Sequence, residues 1–177
     1  TNVFYIFPGR TTLPYKGYKS NRTIEFENSD LRDIEETFPM FVEHISPRIF
    51  RSADVIYGEE SNNYTTIGVD WGQQFPEQTI MMKGRYINQR DVAEKTRNAV
   101  IGRLVEIDLF GGRNSIGKFI DIGGSVFKLV GVFQDDGGDN EERQIYIPYT
   151  TRQLIEKNTD KIGQIVVQFK PELGYTG

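Results

Sequence analysis

The sequence predicts an α+β fold, because its apolar runs are mostly short and extended while helical patterns are few. Three observations support this prediction. The front of the chain reads as strand, helix, strand; the middle is rich in strands; and the end reads as helix, then strand. With 177 residues, the chain suits one ordinary core or two small lobes that share one.

Strand candidates recur through the first half of the chain. They are residues 3–7, 23–27, 48–57, 64–71 and 79–83. The first of them ends at Pro8-Gly9, and the polar residues 58–63 read as a turn between the third and the fourth. Within 64–71, alternation would place Thr65, Ile67, Val69 and Trp71 on one face.

A first helix is predicted after the strand at 23–27. Ser29 or Asp30 is its expected N-cap. Apolar side chains recur at helical spacing at Leu31, Ile34 and Phe38. Pro39 is expected to end the helix, because proline disfavours helical angles in the residue before it.

Residues 98–133 contain the clearest succession of elements. Residues 99–101 form an apolar strand stopped by Gly102, and the next apolar positions suit a short helix ended by Gly111-Gly112. Two strands follow at 118–122 and 126–133, joined by Gly123-Gly124, a pair that accepts the positive φ values of a two-residue hairpin turn. The remaining elements are a polar loop at 134–142, a strand at 143–147, a helix at 150–157 and a strand at 162–169.

Composition excludes several classes of function. The chain has 21 basic and 25 acidic residues and no basic run, which argues against binding to nucleic acid or to an anionic membrane surface. It has no cysteine, so a disulfide framework, a thiolate zinc site and a cysteine nucleophile are excluded. No stretch reaches the roughly 20 apolar residues needed to cross a bilayer. Because the chain starts at Thr1 without a signal segment, we expect that end to be processed or cut.

Residues 112–118 match part of a phosphate-binding loop, but the match is incomplete. Phe119 stands where a hydroxyl should bind magnesium, and the segment follows a helix and precedes a strand, which inverts the required order. We therefore predict a structural turn. His44 is the only histidine, and no serine elbow accompanies it, so no catalytic set is expected.

Five carboxylates crowd into eight residues near the polar loop: Asp135, Asp136, Asp139, Glu141 and Glu142. Their spacing does not follow the EF-hand rule, so a solvated loop is favoured over a metal site. A partner-facing tip is the functional alternative. Two interpretations are also open for Trp71. Alternation along the strand favours packing in the core, whereas an exposed Trp71 would stack on a sugar or anchor a partner.

A series of short motifs runs from Gly84 to Pro148. They are Gly84-Arg85-Tyr86-Ile87, Ala99-Val100-Ile101-Gly102, Leu109-Phe110-Gly111, Ile116-Gly117-Lys118, Ile120-Asp121-Ile122-Gly123-Gly124, Phe127, Val130-Gly131-Val132 and Ile145-Tyr146-Ile147-Pro148. Together they resemble the periplasmic (extracytoplasmic) core domain of MacB-like and FtsX-like ABC transporter permeases.

This resemblance implies a division into two subdomains. A porter-like βαβ-type subdomain would be built from both chain ends, residues 1–84 plus 149–177. A small strand-rich subdomain with one short helix, residues 85–148, would be inserted between them. Leu109, Phe110, Phe127 and Val130 are expected to hold the insert together.

The resemblance also implies a noncatalytic role: the domain would transmit ATP-driven conformational change to periplasmic export or efflux machinery. It would hold no cofactor, because ATP is bound by a separate cytoplasmic subunit or domain. Its partners would be the cognate ABC ATPase, a second permease protomer and a periplasmic adaptor, at the periplasmic face of the bacterial inner membrane. The alternative is a stand-alone periplasmic binding module for a peptide, glycan or lipoprotein. The transmitting role predicts that both chain ends lie on one side of the molecule. The binding-module role predicts that Trp71 lies in an open groove.

Overall fold

The computed structural model describes residues 3–7 and 25–171, and it confirms the α+β class. The strands are β1 (Val3–Ile6), β2 (Phe26–Glu27), β3 (Val42–Tyr57), β4 (Glu60–Val69), β5 (Ile80–Gly84), β6 (Asn98–Gly102), β7 (Phe119–Ile122), β8 (Ser125–Gln134), β9 (Gln144–Pro148), β10 (Lys161–Ile162) and β11 (Gln164–Phe169). The helices are α1 (Asn28–Thr37), α2 (Gln74–Glu77), α3 (Gln89–Glu94), α4 (Arg103–Phe110) and α5 (Tyr149–Ile155), with short 3-10 turns at Trp71–Gln73 and Glu141–Arg143.

One mixed sheet organises the described part of the chain, with the strand order β1-β11-β3-β4-β9-β6-β8-β5. The long strand β3 runs through its middle. Near its start β3 pairs with β11, and from Ile49 onward it pairs with β4 on its other edge. At its far end β7 pairs with Val55 and Ile56. The strand therefore connects the two ends of the molecule.

Both described chain ends lie at the same end of this sheet. Val3 is paired with Gln168, and Val42 is paired with Phe169. The Lys170 N–H donates to the Phe41 carbonyl across 2.9 Å, which fixes the residues after β11 beside the start of β3. We call this the chain-end pole, and the opposite end, at the β3–β4 turn after Tyr57, the far pole.

Three apolar clusters form the core of the described residues. The cluster near the far pole contains Leu109, Phe110 and Phe127, as expected, together with side chains of β3, β4, β6 and β9. Val130 instead packs against a second cluster, which includes Ile67, Phe133 and other side chains. The third lies under α1, where its apolar side chains meet those of β11. No helix in the described residues is long and apolar enough to span a bilayer.

Several predicted elements are confirmed by backbone geometry. Gly111 ends α4 with a φ of 58°. Gly123 and Gly124 have φ values of 59° and 94° and connect Ile122 to its pairing partner Ser125, so they form the predicted two-residue turn. Pro8-Gly9 and the start of the strand predicted at 23–27 lie outside the described residues.

Other predictions need correction. The helix α1 begins earlier than expected: Glu27 is its N-cap, and Asp30 lies in the first turn, where its carboxylate accepts the Glu27 N–H across 2.8 Å. The turn predicted at 58–63 is only two residues long, because Tyr57 pairs with Glu60 and the polar residues after it belong to β4. The predicted final strand divides at Gly163 into β10, which pairs with β2, and β11.

The division into two subdomains stays a prediction. Strands assigned to different subdomains hydrogen-bond to each other in the one sheet: β4 pairs with β9, and β5 pairs with β8. The second apolar cluster likewise joins Ile67 to Phe133.

Candidate functional site

Trp71 lies outside the strand in which it was predicted. The strand β4 ends at Val69, and Trp71 begins the 3-10 turn that follows. The His44 ring lies 5.8 Å from the Trp71 ring and stacks on Phe75 at 4.9 Å between centroids. Trp71 is half-buried in this three-ring cluster, so its placement lies between the core packing and the full exposure considered from the sequence.

An open groove of 580 Å³ runs past this cluster. Its lining consists of Trp71, Gln74 and residues 85–90. Arg85 is ion-paired with Asp91 at 2.6 Å, and Arg90 with Glu94 at 3.1 Å. Because a carboxylate partners each guanidinium, the groove combines an aromatic wall with hydrogen-bonding groups and little net charge.

Glu77 connects three separate parts of the fold. One carboxylate oxygen accepts hydrogen bonds from the Tyr5 hydroxyl at 3.1 Å, Arg48 at 3.3 Å and the Gln73 side-chain amide at 2.9 Å. These donors belong to β1, β3 and the 3-10 turn. Burial, and then the negative charge of Glu77, raise the pKa of Tyr5. We call these four residues the Glu77 junction; it ties the first strand and the central strand to the connection between β4 and β5.

Asp91 organises the entry to α3. Its carboxylate accepts hydrogen bonds from Arg85, from the Thr96 hydroxyl at 2.7 Å and from the Asn98 amide at 2.8 Å. It also accepts the Asn88 N–H at 3.0 Å, while the Asn88 side chain accepts the Asp91 N–H. Burial alone would raise the pKa of Asp91, but these hydrogen bonds outweigh burial and lower the pKa to about 2. This helix is absent from the sequence-based prediction, although the spacing of Asn88 and Asp91 is that of a capping pair.

The acidic loop separates into exposed and buried members. Asp136 and Asp139 are exposed, whereas Asp135 and Glu141 are half-buried. The prediction that Glu142 belongs to a partner-facing surface is wrong, because its side chain is buried, with only 6% of the residue exposed. Both of its carboxylate oxygens accept from Arg103, at 2.9 and 3.0 Å, and this pairing lowers the pKa of Glu142. A partner-facing role remains a prediction for the exposed members.

The segment that partly matched a phosphate-binding loop forms a turn. Ser115 is fully buried within it and donates through both its hydroxyl and its N–H to Glu106. Lys83 donates to the same carboxylate at 2.8 Å. Burial alone would raise the pKa of Glu106, but the bonds from Lys83 and Ser115 lower it. This turn is thus fastened to α4 and β5. In residues 3–7 and 25–171, no three His, Cys, Asp or Glu side chains are grouped to hold a metal ion.

This fold is shared with extracytoplasmic domains of ABC transporters. The crystal structure of the periplasmic region of MacB from Actinobacillus actinomycetemcomitans matches with a TM-score of 0.82 and 21% identity, covering 99% of this chain and 78% of that one. The extracellular domain of the noncanonic ABC-type transporter YknZ from Gram-positive bacteria matches with a TM-score of 0.77 and 18% identity, covering 94% and 84%.

The chain belongs to the MacB-like periplasmic core domain family, whose family model matches residues 1–173. Among curated relatives, the macrolide export ATP-binding/permease protein MacB of Chlorobium phaeobacteroides is 26% identical over 173 residues. The match covers 95% of this chain and 26% of that protein. The chain therefore spans about a quarter of the length of this relative.

Proposed function

We propose that this chain is the extracytoplasmic part of an ABC-type transporter permease and that it passes ATP-driven movement of a membrane part to export or efflux machinery. It works at the periplasmic face of a bacterial inner membrane, without a catalytic centre or a cofactor of its own. ATP is bound by a separate cytoplasmic subunit or domain. Membership of the family and the fold shared with two transporter domains support this proposal.

The single observation that carries the proposal is the pairing of Val3 with Gln168. A domain inserted between two membrane segments needs both of its connections on one side, and this pairing places the two described ends together. The continuous strand β3 leads from there to the far pole. Since one hydrogen-bonded strand spans both poles, movement applied at the chain-end pole reaches the far pole without passing through a flexible linker.

The far pole offers a surface for a partner. Ile56, Phe119 and Val126 are 45%, 59% and 56% exposed. Ile56 and Val126 are both paired with Asp121 across neighbouring strands, so they lie on one sheet face. We assign this face to a second permease protomer or a periplasmic adaptor protein, because apolar side chains grouped on a surface are typical of protein contacts.

The test uses the natural full-length protein in proteoliposomes with its ATPase. Spin labels on cysteines at Glu59, an exposed residue of the β3–β4 turn, report the distance between far poles of two protomers. We expect this distance to change when ATP binds, and a variant ATPase that cannot bind ATP to abolish the change. An unchanged distance in the presence of active ATPase would contradict the proposed transmission.

A second candidate function is ligand binding by the open groove, as in a binding module for a peptide, glycan or lipoprotein. The observation that favours it is the position of Trp71 in the groove wall. Trp71 is the only tryptophan of the chain, so its fluorescence reports on the groove directly. Titration with peptidoglycan fragments, model peptides and a lipopeptide should change its emission, and Arg90→Ala should weaken the response. No change with any of these ligands would remove this candidate.

A further inference from the structure

The central strand β3 has a gap in its pairing along one edge. Gln164 of β11 pairs with Arg48, and Ile122 of β7 pairs with Val55 on the same edge. Between these two pairs, no strand of the described residues pairs with residues 49–54 on that edge, because β10, which leads into β11, pairs with β2 instead. We call this stretch the edge gap. A strand edge without a neighbour is a template for pairing with another extended chain.

The backbone of Ser52 points into the edge gap. At the two ends of the gap, the Arg48 carbonyl accepts the Gly163 N–H at 3.2 Å, and the Asp54 carbonyl accepts an N–H of the β7–β8 turn at 2.8 Å. Backbone groups of residues two apart in a strand face the same edge, so those of Phe50 and Ser52 face it too. The Phe50 carbonyl accepts from the side chain of the next residue at 2.8 Å. The Phe50 N–H and both backbone groups of Ser52 are left without a partner in the part of the chain that the structure describes.

An open groove of 690 Å³ lies along the edge gap. Its lining includes residues 51–54, the β7–β8 turn, Arg152 of α5 and Glu156 directly after that helix. Arg152 is 9% exposed. Its Nη2 donates to the Thr66 hydroxyl at 2.8 Å, but its buried Nε has no hydrogen-bond partner. The groove therefore brings together an open strand edge and an incompletely partnered guanidinium.

Arg152 has no carboxylate partner among residues 3–7 and 25–171. Glu156, four positions further along the chain, is engaged by Arg51 instead, which contacts both of its carboxylate oxygens at 2.7 and 3.0 Å. Burial lowers the pKa of Arg152, although the charge of Glu156 acts in the opposite direction. A buried cation is stabilised by an opposite charge that also accepts its hydrogen bonds, and a carboxylate meets both needs.

We infer that the edge gap binds an extended segment of a partner polypeptide, which pairs with Phe50 and Ser52 and presents one acidic side chain to Arg152. In this mode of recognition, backbone hydrogen bonds supply affinity and side chains at alternate positions supply specificity. Asp54 and Asp121 line the same groove and repel further negative charge, so one carboxylate fits and an acidic run does not. The inference does not depend on the proposed function, because it concerns only pairing with β3 and an unpaired charge.

Two blocked, fluorescein-labelled peptides test the inference on the full chain. One is a heptapeptide of alternating threonine and valine with a central glutamate, and the other has glutamine in place of the glutamate. Fluorescence anisotropy should show about tenfold weaker binding of the glutamine peptide, because a hydrogen bond between two charged groups is lost. Arg152→Gln should remove this difference between the peptides. Arg90→Gln, which changes an exposed arginine of α3, should preserve it.

Circular dichroism checks that each variant is folded, and Arg152→Lys replaces Arg152→Gln if the latter fails to fold. Lysine keeps the charge but lacks the planar fork of the guanidinium, so the difference between the peptides should shrink. A peptide N-methylated at every second residue requires no change in the protein. It should bind at least tenfold more weakly when the methyl groups lie on the edge that pairs with β3, because those positions can no longer donate.

Amide hydrogen exchange locates the bound peptide. Exchange at Phe50 and Ser52 should slow on binding, whereas the amides of β5, the edge strand on the opposite side of the sheet, should not change. Equal binding of the glutamate and glutamine peptides overturns the inference, and so does unchanged exchange at Ser52. Slow exchange at Ser52 in the free chain also overturns it, because the edge is then already covered; a dependence on protein concentration would identify a second copy as the cover. Displacement of the peptide by an equal concentration of sodium acetate overturns it too, since that result indicates an anion site without strand pairing.

Discussion

The Tyr5 hydroxyl donates a hydrogen bond to the Glu77 carboxylate across 3.1 Å, although 72 positions separate the two residues in the chain. Tyr5 belongs to β1, an edge strand that has β11 as its pairing partner. Glu77 also accepts from Arg48 of the central strand. The edge strand at the chain-end pole is therefore joined to the middle of the molecule by a side chain as well as by the sheet.

We predict that this hydrogen bond contributes measurable coupling. In a double-mutant cycle with Tyr5→Phe and Glu77→Gln, the interaction free energy should be about 1 kcal/mol, the usual net value of a hydrogen bond to a partly buried acceptor. Urea unfolding monitored by circular dichroism gives the four values needed.

The matched control for this cycle is Tyr5→Phe with Glu94→Gln, because Glu94 is ion-paired with Arg90 on α3 and not with a residue of β1. These changes should be additive. If the effects of Tyr5→Phe and Glu77→Gln on the free energy of unfolding are also additive, the two residues are not energetically coupled.

Asp91 should make the domain sensitive to acid. Its pKa is about 2 in the fold against an ordinary 3.8, so the ionised carboxylate is favoured by folding. The stabilisation by Asp91 is complete above pH 4 to 5 and is lost as the pH falls towards 2. At 1.4 kcal/mol per pKa unit, the free energy of unfolding should decrease by about 2 kcal/mol over this range. Asp91→Asn should lower stability at neutral pH and flatten its decrease between about pH 4 and pH 2. Asp33→Asn, at an exposed position of α1, should leave the profile unchanged; an equally steep profile in Asp91→Asn would contradict the assignment.

Within the acidic loop, Glu142 should respond differently from its neighbours. Glu142→Gln replaces a carboxylate that two guanidinium nitrogens of Arg103 contact, and the melting temperature should fall by a few degrees. Asp136→Asn and Asp139→Asn change exposed side chains and should have little effect. Differential scanning calorimetry compares the three variants, and equal melting temperatures would show that the Arg103–Glu142 pair adds no stability.

Gly102 should not accept a larger side chain. A Cβ at this position would collide with the Glu142 carbonyl, which is backbone and cannot rotate away. Gly102→Ala should therefore destabilise the fold by about 2 kcal/mol, as overpacking usually does. At Gly72 the nearest atom to an added Cβ would be His44 Nδ1, at 3.4 Å, so Gly72→Ala should cost far less. Chemical denaturation measures both, and similar costs would contradict the steric explanation.

Local signals in the sequence predict the structure correctly where one or two residues determine the backbone conformation. Gly111 ends a helix and Gly123-Gly124 forms a turn because glycine accepts positive φ values without a steric penalty. The strand predicted at 64–71 includes Trp71, although β4 ends at Val69, and this error has a different cause. β4 pairs with β9 only as far as Val69 opposite Pro148, and a proline has no N–H with which to continue the ladder. Alternation within one segment does not reveal where its partner strand ends.

The candidate surfaces were harder to predict, because distant contacts decide them. Glu142 is buried by a partner 39 positions earlier, whereas the other acidic residues of the same loop remain at least partly exposed. The residues 60–63 read as a loop because they are polar, but all four are exposed positions of the β3–β4 hairpin. The Asn63 side chain hydrogen-bonds across this hairpin to the side chains of Ser52 and Asp54. Apart from the four-residue spacing of Gln73 and Glu77, the Glu77 junction has no local signature in the sequence.

In the proposed function, the sixteen residues of β3 set how far a tilt at the chain-end pole moves the far pole. At about 3.3 Å per residue, the strand is roughly 50 Å long. Rocking it by about 5° displaces the opposite tip by roughly 4 Å, comparable with the spacing of neighbouring strands. If the domain transmits movement as proposed, a slight tilt at the chain-end pole is enough to separate two surfaces that touch at the far pole.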